Sequence, residues 1–128
     1  MRHTGIGPSD HALADALLAL RAWERGHIPL HAPQISLDIL LQVAASAARH
    51  QPARMKDLHL AIGYSQDRIR EVVHHLVADD WIELTADARD GRSKFLKPTA
   101  RALRLLEDYR AQLRGALGAI VTPRVEVA

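Results

Sequence analysis

The chain has 128 residues, enough for one domain with a buried core but too few for a second catalytic lobe. Hydrophobic residues at 48% and charged residues at 25% exclude a disordered chain, and a net charge of only +2 means that any attraction to nucleic acid must come from local clustering. With no cysteine, disulfides, thiolate nucleophiles and cysteine redox switches are ruled out.

Residues 1–8 read as a frayed tail. The start Met1-Arg2-His3-Thr4-Gly5 has no signal-peptide core and no apolar run reaches the length of a membrane span, so the expectation is a cytoplasmic protein with no membrane partner. Ser9 or Asp10 can cap a helix to about Arg25, with Leu13, Ala16, Leu17, Leu20 and Trp23 at helical spacing. Gly26 to Ile35 contains Pro29 and Pro33 and reads as a linker. Ser36 is the expected cap of a helix to about Arg49. Leu37, Ile39, Leu40, Leu41, Val43, Ala44, Ala47 and Ala48 make that helix apolar almost all round, which places it in the middle of the fold. Gln51-Pro52 ends it, and Arg54-Met55 can form a minimal third strand.

The stretch from Met55 to Thr99 changes periodicity in a telling order. A short helical pattern from Lys56 to Ile62 reaches the break Gly63-Tyr64, and Ser65 then reads as the N-cap of a longer helix. Ile69, Val72, Val73, Leu76 and Val77 form its apolar stripe. Asp67, Glu71 and His74 occupy the opposite side, flanked by Arg68, Arg70 and His75. Trp81-Ile82-Glu83-Leu84 alternates like a half-buried strand, with Ile82 and Leu84 on one face. Asp90-Gly91 supplies the positive φ that a reversal needs, and Ser93 to Lys97 returns with Phe95 and Leu96 as its apolar content. From Ala86 to Arg104 six cations stand against Asp87 and Asp90, a local excess of four.

This order predicts a mainly α fold with a small β-hairpin wing: a winged helix-turn-helix, which sets one helix and one hairpin tip against a DNA duplex. The expected DNA-binding residues are Ser65, Gln66, Asp67, Arg68, Arg70, Glu71 and His74 on the helix, with Arg89, Arg92 and Lys94 on the wing. Glutamine can read adenine, arginine guanine, and a carboxylate can accept only from the cytosine amino group, so Asp67 and Glu71 are expected to act as selectors. The bland alternatives are a solvated helix face and a solubilising turn.

Thr99 opens the last helix, expected to reach about Gly118 before Pro123. Ala102, Leu106, Tyr109, Leu113, Ala116 and Ile120 repeat at close to 3.5 residues, the spacing of a helix lying along another helix. The first and last helices can cover each other within one chain. They can also build a two-fold dimer through Leu13, Leu17, Leu20, Leu106, Tyr109 and Leu113. The organisation is therefore read as residues 1–35 (tail, dimerisation helix and linker), 36–98 (winged helix-turn-helix) and 99–128 (dimerisation helix and tail).

Ile62-Gly63-Tyr64-Ser65-Gln66, the helix to Leu76, and Asp79-Asp80-Trp81-Ile82 resemble the recognition region of the MarR family of bacterial regulators. So does the wing pattern Asp87-x-Arg89-Asp90-x-Arg92 followed by Leu96-x-x-Thr99. The resemblance spans roughly Ser36 to Leu113. It implies a homodimeric winged-helix protein that binds a palindromic operator, and by resemblance alone it extends to a small-molecule effector as a further partner, with a pocket near Trp23, His27 and His31. The chain departs from the pattern in several places. Arg68 and Arg70 replace small hydroxyl residues, Glu71 stands where an arginine is usual, and Gly91 takes one of two wing-arginine places. Ala102 replaces a glycine, and there is room for one closing helix rather than two.

Other chemistries find little support. His74 and His75 are adjacent on a helix and diverge by about 100°, so they cannot readily share a metal. His27 and His31 sit in a proline-containing linker without cysteine. No Gly-rich phosphate loop, nucleophile elbow or His-Glu-x-x-His run occurs, so no enzyme activity, metal or cofactor is expected. Aromatic residues are too few for a base-stacking platform, which favours duplex over single strands. The expected function is sequence-specific double-stranded DNA binding by a homodimeric transcriptional repressor. The alternative, kept open by Asp67 and Glu71, is a winged-helix protein-interaction module without DNA binding.

Overall fold

The computed structural model describes residues 8–89 and 94–121. In chain order the elements are α1 (Pro8–His27), α2 (Pro33–Ala48), β1 (Ala53–Arg54), α3 (Met55–Ile62), α4 (Gln66–Ala78), β2 (Ile82–Ala86), β3 (Lys94–Pro98) and α5 (Ala100–Val121). The strands form one antiparallel sheet in the order β1-β3-β2. This is the expected winged helix-turn-helix, with a third strand completing the wing sheet. The chain divides into two compact units. One spans Pro29–Leu106, and the other is built from α1 and the part of α5 from Glu107 onward.

Within Pro29–Leu106, α2 packs against α3, α4 and β3. Ile39, Leu40 and Val43 of α2, Leu58 of α3, Ile69, Val72, Val73 and Leu76 of α4, Ile82 and Leu96 are all but fully buried. Each such side chain stabilises the fold by roughly 1.5–3 kcal/mol relative to exposure. The α3–α4 turn depends on Gly63, whose φ of 78° is a left-handed conformation and whose N–H donates to the His59 carbonyl at 2.9 Å. Tyr64 then ties the turn to α2 by donating to Asp38 Oδ2 at 2.8 Å, and that bond raises the phenol pKa. Ser65 Oγ accepts from the Arg68 N–H at 3.1 Å, the predicted N-cap of α4.

The far end of α4 is fastened as firmly. Trp81 N–H donates to the Leu76 carbonyl at 2.8 Å, and Thr99 Oγ1 donates to the Asp80 carbonyl at 2.6 Å. The same hydroxyl accepts from the Ala102 N–H and so caps α5. The Arg101 guanidinium lies 3.9 Å over the Trp81 ring and donates to the Asp79 carbonyl.

Several expectations need correction. α2 starts at Pro33, not after Ser36, because a proline at the first helical position has its φ preset and no N–H to satisfy. Ser36 is buried inside the helix, where its hydroxyl donates to the His31 carbonyl, and the linker shrinks to residues 28–32. Nor is α2 dry all round: Leu41 is 48% exposed, and Ala45 and Ala48 are exposed too. β1 is Ala53–Arg54, since Met55 already belongs to α3. Ile82 is 1% exposed but Leu84 38%, because β2 is an edge strand and its middle keeps one flank open. α5 continues to Val121, through both Gly115 and Gly118. The expected Asp90-Gly91 reversal and the tail up to residue 7 lie outside the described residues. No helix among those described is long and apolar enough to cross a membrane.

In the second unit Ala16 and Leu20 are buried, while Glu24 gathers polar partners. Its carboxylate accepts from the Tyr109 hydroxyl and from Arg21 Nη1 at 2.9 Å. Trp23 stacks on His27 at 5.0 Å and meets the Tyr109 ring edge-on at 5.6 Å. Burial first, and then the bond to Glu24, push the Tyr109 hydroxyl up to about 12. The folded state therefore keeps this proton after the unfolded chain, titrating near about 10, has lost it. The stabilisation is complete below about pH 10 and lost as pH rises toward 12. Denaturant unfolding at pH 9, 10 and 11 should show stability falling with pH, and Tyr109→Phe should flatten the fall. Equal slopes for both proteins would show that the Tyr109 proton is not linked to folding.

Candidate nucleic-acid interface

The buried stripe of α4 decides which side chains face outward. With Ile69, Val72, Val73 and Leu76 turned to the core, Gln66, Asp67, Arg68, Arg70, Glu71 and His74 are all exposed. The charges on this surface are already paired along the helix. Arg68 bridges Glu71, and Arg70 Nη1 lies 3.6 Å from Asp67 Oδ1, both pairs at a spacing of three. Such exposed pairs are worth only about 0.3–0.5 kcal/mol, so a phosphate or base edge can readily take over either arginine. Ser65 is committed to capping. His75 turns away from the exposed row, with its ring stacked on His31 at 3.9 Å.

The sheet brings further cations to the same side. A cleft of about 350 Å³ between α3, α4 and the start of β3 is lined by Lys56, His59, Gln66, Arg70 and Lys94, with Met55 and Ile69 beneath. Gln66, Arg70 and Lys94 were expected at an interface; Lys56 and His59 were not. Their spacing of three on a short helix, on either side of the buried Leu58, is the signal that could have found them. That they meet Lys94 depends on the pairing of Ala53 with Leu96 and Arg54 with Phe95, which lays β3 beside the start of α3. Arg89 is exposed beyond the end of β2, and Arg92 lies outside the described residues.

The base of the wing is held by charge. Asp87 is 4% exposed, and its Oδ1 accepts from the Arg89 N–H at 2.9 Å. Oδ2 stands 3.1 Å from Arg54 Nη2 but has no aligned hydrogen bond, so the contact is chiefly coulombic. The Arg54 guanidinium also covers the Phe95 ring at 5.2 Å. Arg54 thereby joins β1 to β3 and to the residue that follows β2. Among the described residues no cluster of three or more His, Asp or Glu side chains could hold a metal ion.

Neither a protein-family model nor a curated protein matches the sequence. Solved structures do match the fold. Transcriptional regulator Tm0710 from Thermotoga maritima is 21% identical with a TM-score of 0.61, over 88% of this chain and 71% of its own. A MepR mutant from S. aureus is 17% identical with a TM-score of 0.70, over 88% and 78%. A MarR mutant from E. coli complexed with operator DNA is 15% identical with a TM-score of 0.59, over 89% and 72%. The fold is that of the MarR-family regulators.

The Arg54–Asp87 contact generates a test of the wing. Arg54→Ala leaves a buried carboxylate without its counter-charge, so it should lower stability by about 2–3 kcal/mol, below the range for fully buried pairs because Arg54 is partly solvated. Arg54→Ala combined with Asp87→Asn should cost less than the two single changes added together. Additive losses in chemical denaturation would show that the two side chains do not support each other.

Proposed function

We propose that this protein is a sequence-specific double-stranded DNA-binding transcriptional regulator, a repressor that acts as a homodimer on a palindromic operator. The outward polar face of α4 carries this reading. Thirteen residues, fastened at both ends, present Gln66, Arg68 and Arg70 on a helix of the diameter a major groove admits. Arg89 and Lys94 supply charge on the wing side, suited to phosphate contact. The operator complex of the structurally similar E. coli MarR mutant supports the same reading. For the dimer, the support is apolar surface: Leu13, Leu17, Leu18, Leu113 and Leu117 of α1 and α5 remain exposed in the single chain. A second copy related by a two-fold axis would cover them and match the symmetry of a palindrome.

Titration of the protein against random duplex, followed by fluorescence anisotropy, should give a dissociation constant on the order of 10⁻⁴–10⁻⁶ M that weakens linearly on a logarithmic salt scale. Arg68→Ala and Arg70→Ala should each weaken it, whereas Glu71→Gln should tighten it by removing a carboxylate from the path of the phosphates. A chain that ignores duplex at 50 mM salt would transfer the α4 face to a protein partner.

Sedimentation should give a mass twice 14.2 kDa. Leu17→Glu and Leu113→Glu should each yield a monomer with unchanged helical circular dichroism, because both positions are already exposed in the single chain. A wild-type monomer at tens of micromolar would refute the dimer.

A further inference from the structure

The cleft between α3, α4 and β3 holds more charge than base reading requires. Lys56 and His59 enter it from α3, Gln66 and Arg70 from α4, and Lys94 from the first residue of β3. Arg54 also lines it but is occupied by Asp87. No carboxylate occurs among the described lining residues. Arg70 has only a 3.6 Å contact with Asp67, a side chain 97% exposed, to give up on meeting a ligand. Three cations around a cleft with a small apolar floor suit an anion of one unit charge carried on a less polar frame. A phosphodiester flanked by its sugars has that character.

The position selects the source of the anion. Gln66 and Arg70 belong both to the cleft and to the exposed face of α4, so a strand lying along that face carries its backbone past the opening. His59 gives the site a second property. Its ring nitrogens lie 3.4 Å from Gln66 Nε2, and the charged groups around the cleft are Lys56 on its own helix, Arg54 on β1, Arg70 on α4 and Lys94 on β3. Asp57, the carboxylate of α3, lines a different groove with Gln42 and Ser46. A phosphate seated among Lys56, Arg70 and Lys94 would place a negative charge beside the His59 ring, and a nearby opposite charge favours the imidazolium.

We infer that this cleft seats a backbone phosphate of bound DNA, held by Lys56, Arg70 and Lys94, and that filling it is coupled to the uptake of one solvent proton by His59. The inference rests on the DNA-binding reading above and adds a proton to it. DNA binding then tightens as pH falls through the imidazole range, by a route separate from base recognition.

The test is an anisotropy titration of the full chain with random duplex at three salt concentrations and at pH 5.5, 6.5 and 7.5. Lys56→Ala and Lys94→Ala should each make the salt slope shallower by about one unit. Wild-type affinity should rise on acidification, and the ratio of wild-type to His59→Gln affinity should grow roughly 5–10-fold between pH 7.5 and 5.5. His11→Gln, on α1 and outside this surface, should behave as wild type. In parallel, the His59 ring is titrated by NMR with and without duplex, and with inorganic phosphate in place of duplex. A raised imidazole pKa in duplex supports the seat. Duplex binding with unchanged salt slopes and an unchanged pH profile in the variants overturns the seat and leaves the DNA-binding reading intact. A pKa raised by inorganic phosphate but not by duplex overturns the strand assignment in favour of a small phosphorylated ligand. Absence of duplex binding by every protein overturns both readings.

Discussion

The packing of α4 against α2 is the constraint on which the rest of the Pro29–Leu106 unit depends. Ile69, Val72, Val73 and Leu76 face Ile39, Leu40 and Val43 across a core from which water is excluded, and no rotation of α4 keeps all four buried. The ends add directional bonds to this non-directional force. Gly63 and Ser65 set where the helix begins, while Trp81, Thr99 and Arg101 fasten its exit. A helix held in this way presents its polar side in one direction only. Directional binding requires that, and a merely amphipathic helix with frayed ends does not provide it.

Charge serves two purposes in this unit, and burial separates them. The pairs on α4 are solvated and weak, so Arg68 and Arg70 can exchange a carboxylate for a nucleic-acid group at little cost. In the Arg54–Asp87 contact the carboxylate is shielded from water and the guanidinium is partly solvated, so removing the arginine leaves a buried charge without its partner. The first arrangement suits a surface that must respond to a ligand. The second suits the wing, whose position must not change when a ligand arrives. The cleft lies between the two, with a cationic rim over Met55 and Ile69.

The other unit is organised around Glu24. Its half-buried carboxylate accepts from Arg21 on its own helix and from the Tyr109 hydroxyl of α5, and it is the Tyr109 bond that ties α1 to α5, while Ala16 and Leu20 are the buried apolar residues of α1. The same two helices leave a set of leucines in contact with solvent. Burial of Leu20 and exposure of Leu13 and Leu17 divide the α1 stripe into a part that serves the single chain and a part available to a second copy.

What could be read from the sequence was local. The α4 stripe, the Ser65 cap and the Gly63 break follow from helix periodicity and from hydrogen bonds that close within four residues, so each is legible in a short window of residues. Local rules failed where two of them competed. Pro33 and Ser36 both start helices, and burial of the Ser36 hydroxyl against the His31 carbonyl resolved the choice for Pro33. The flank of Leu84 depended on β2 lying at the sheet edge, which no strand reveals by its own alternation. The cleft was out of reach for the same reason. Lys56, Arg70 and Lys94 come from three elements, and only the pairing of β1 with β3, over a core shared with α2, brings them to one opening. Sequence determines which faces a helix or strand can bury, because that depends on neighbours along the chain. Which polar faces then meet is decided by tertiary packing, since the burial of distant apolar residues alone sets the distance between them.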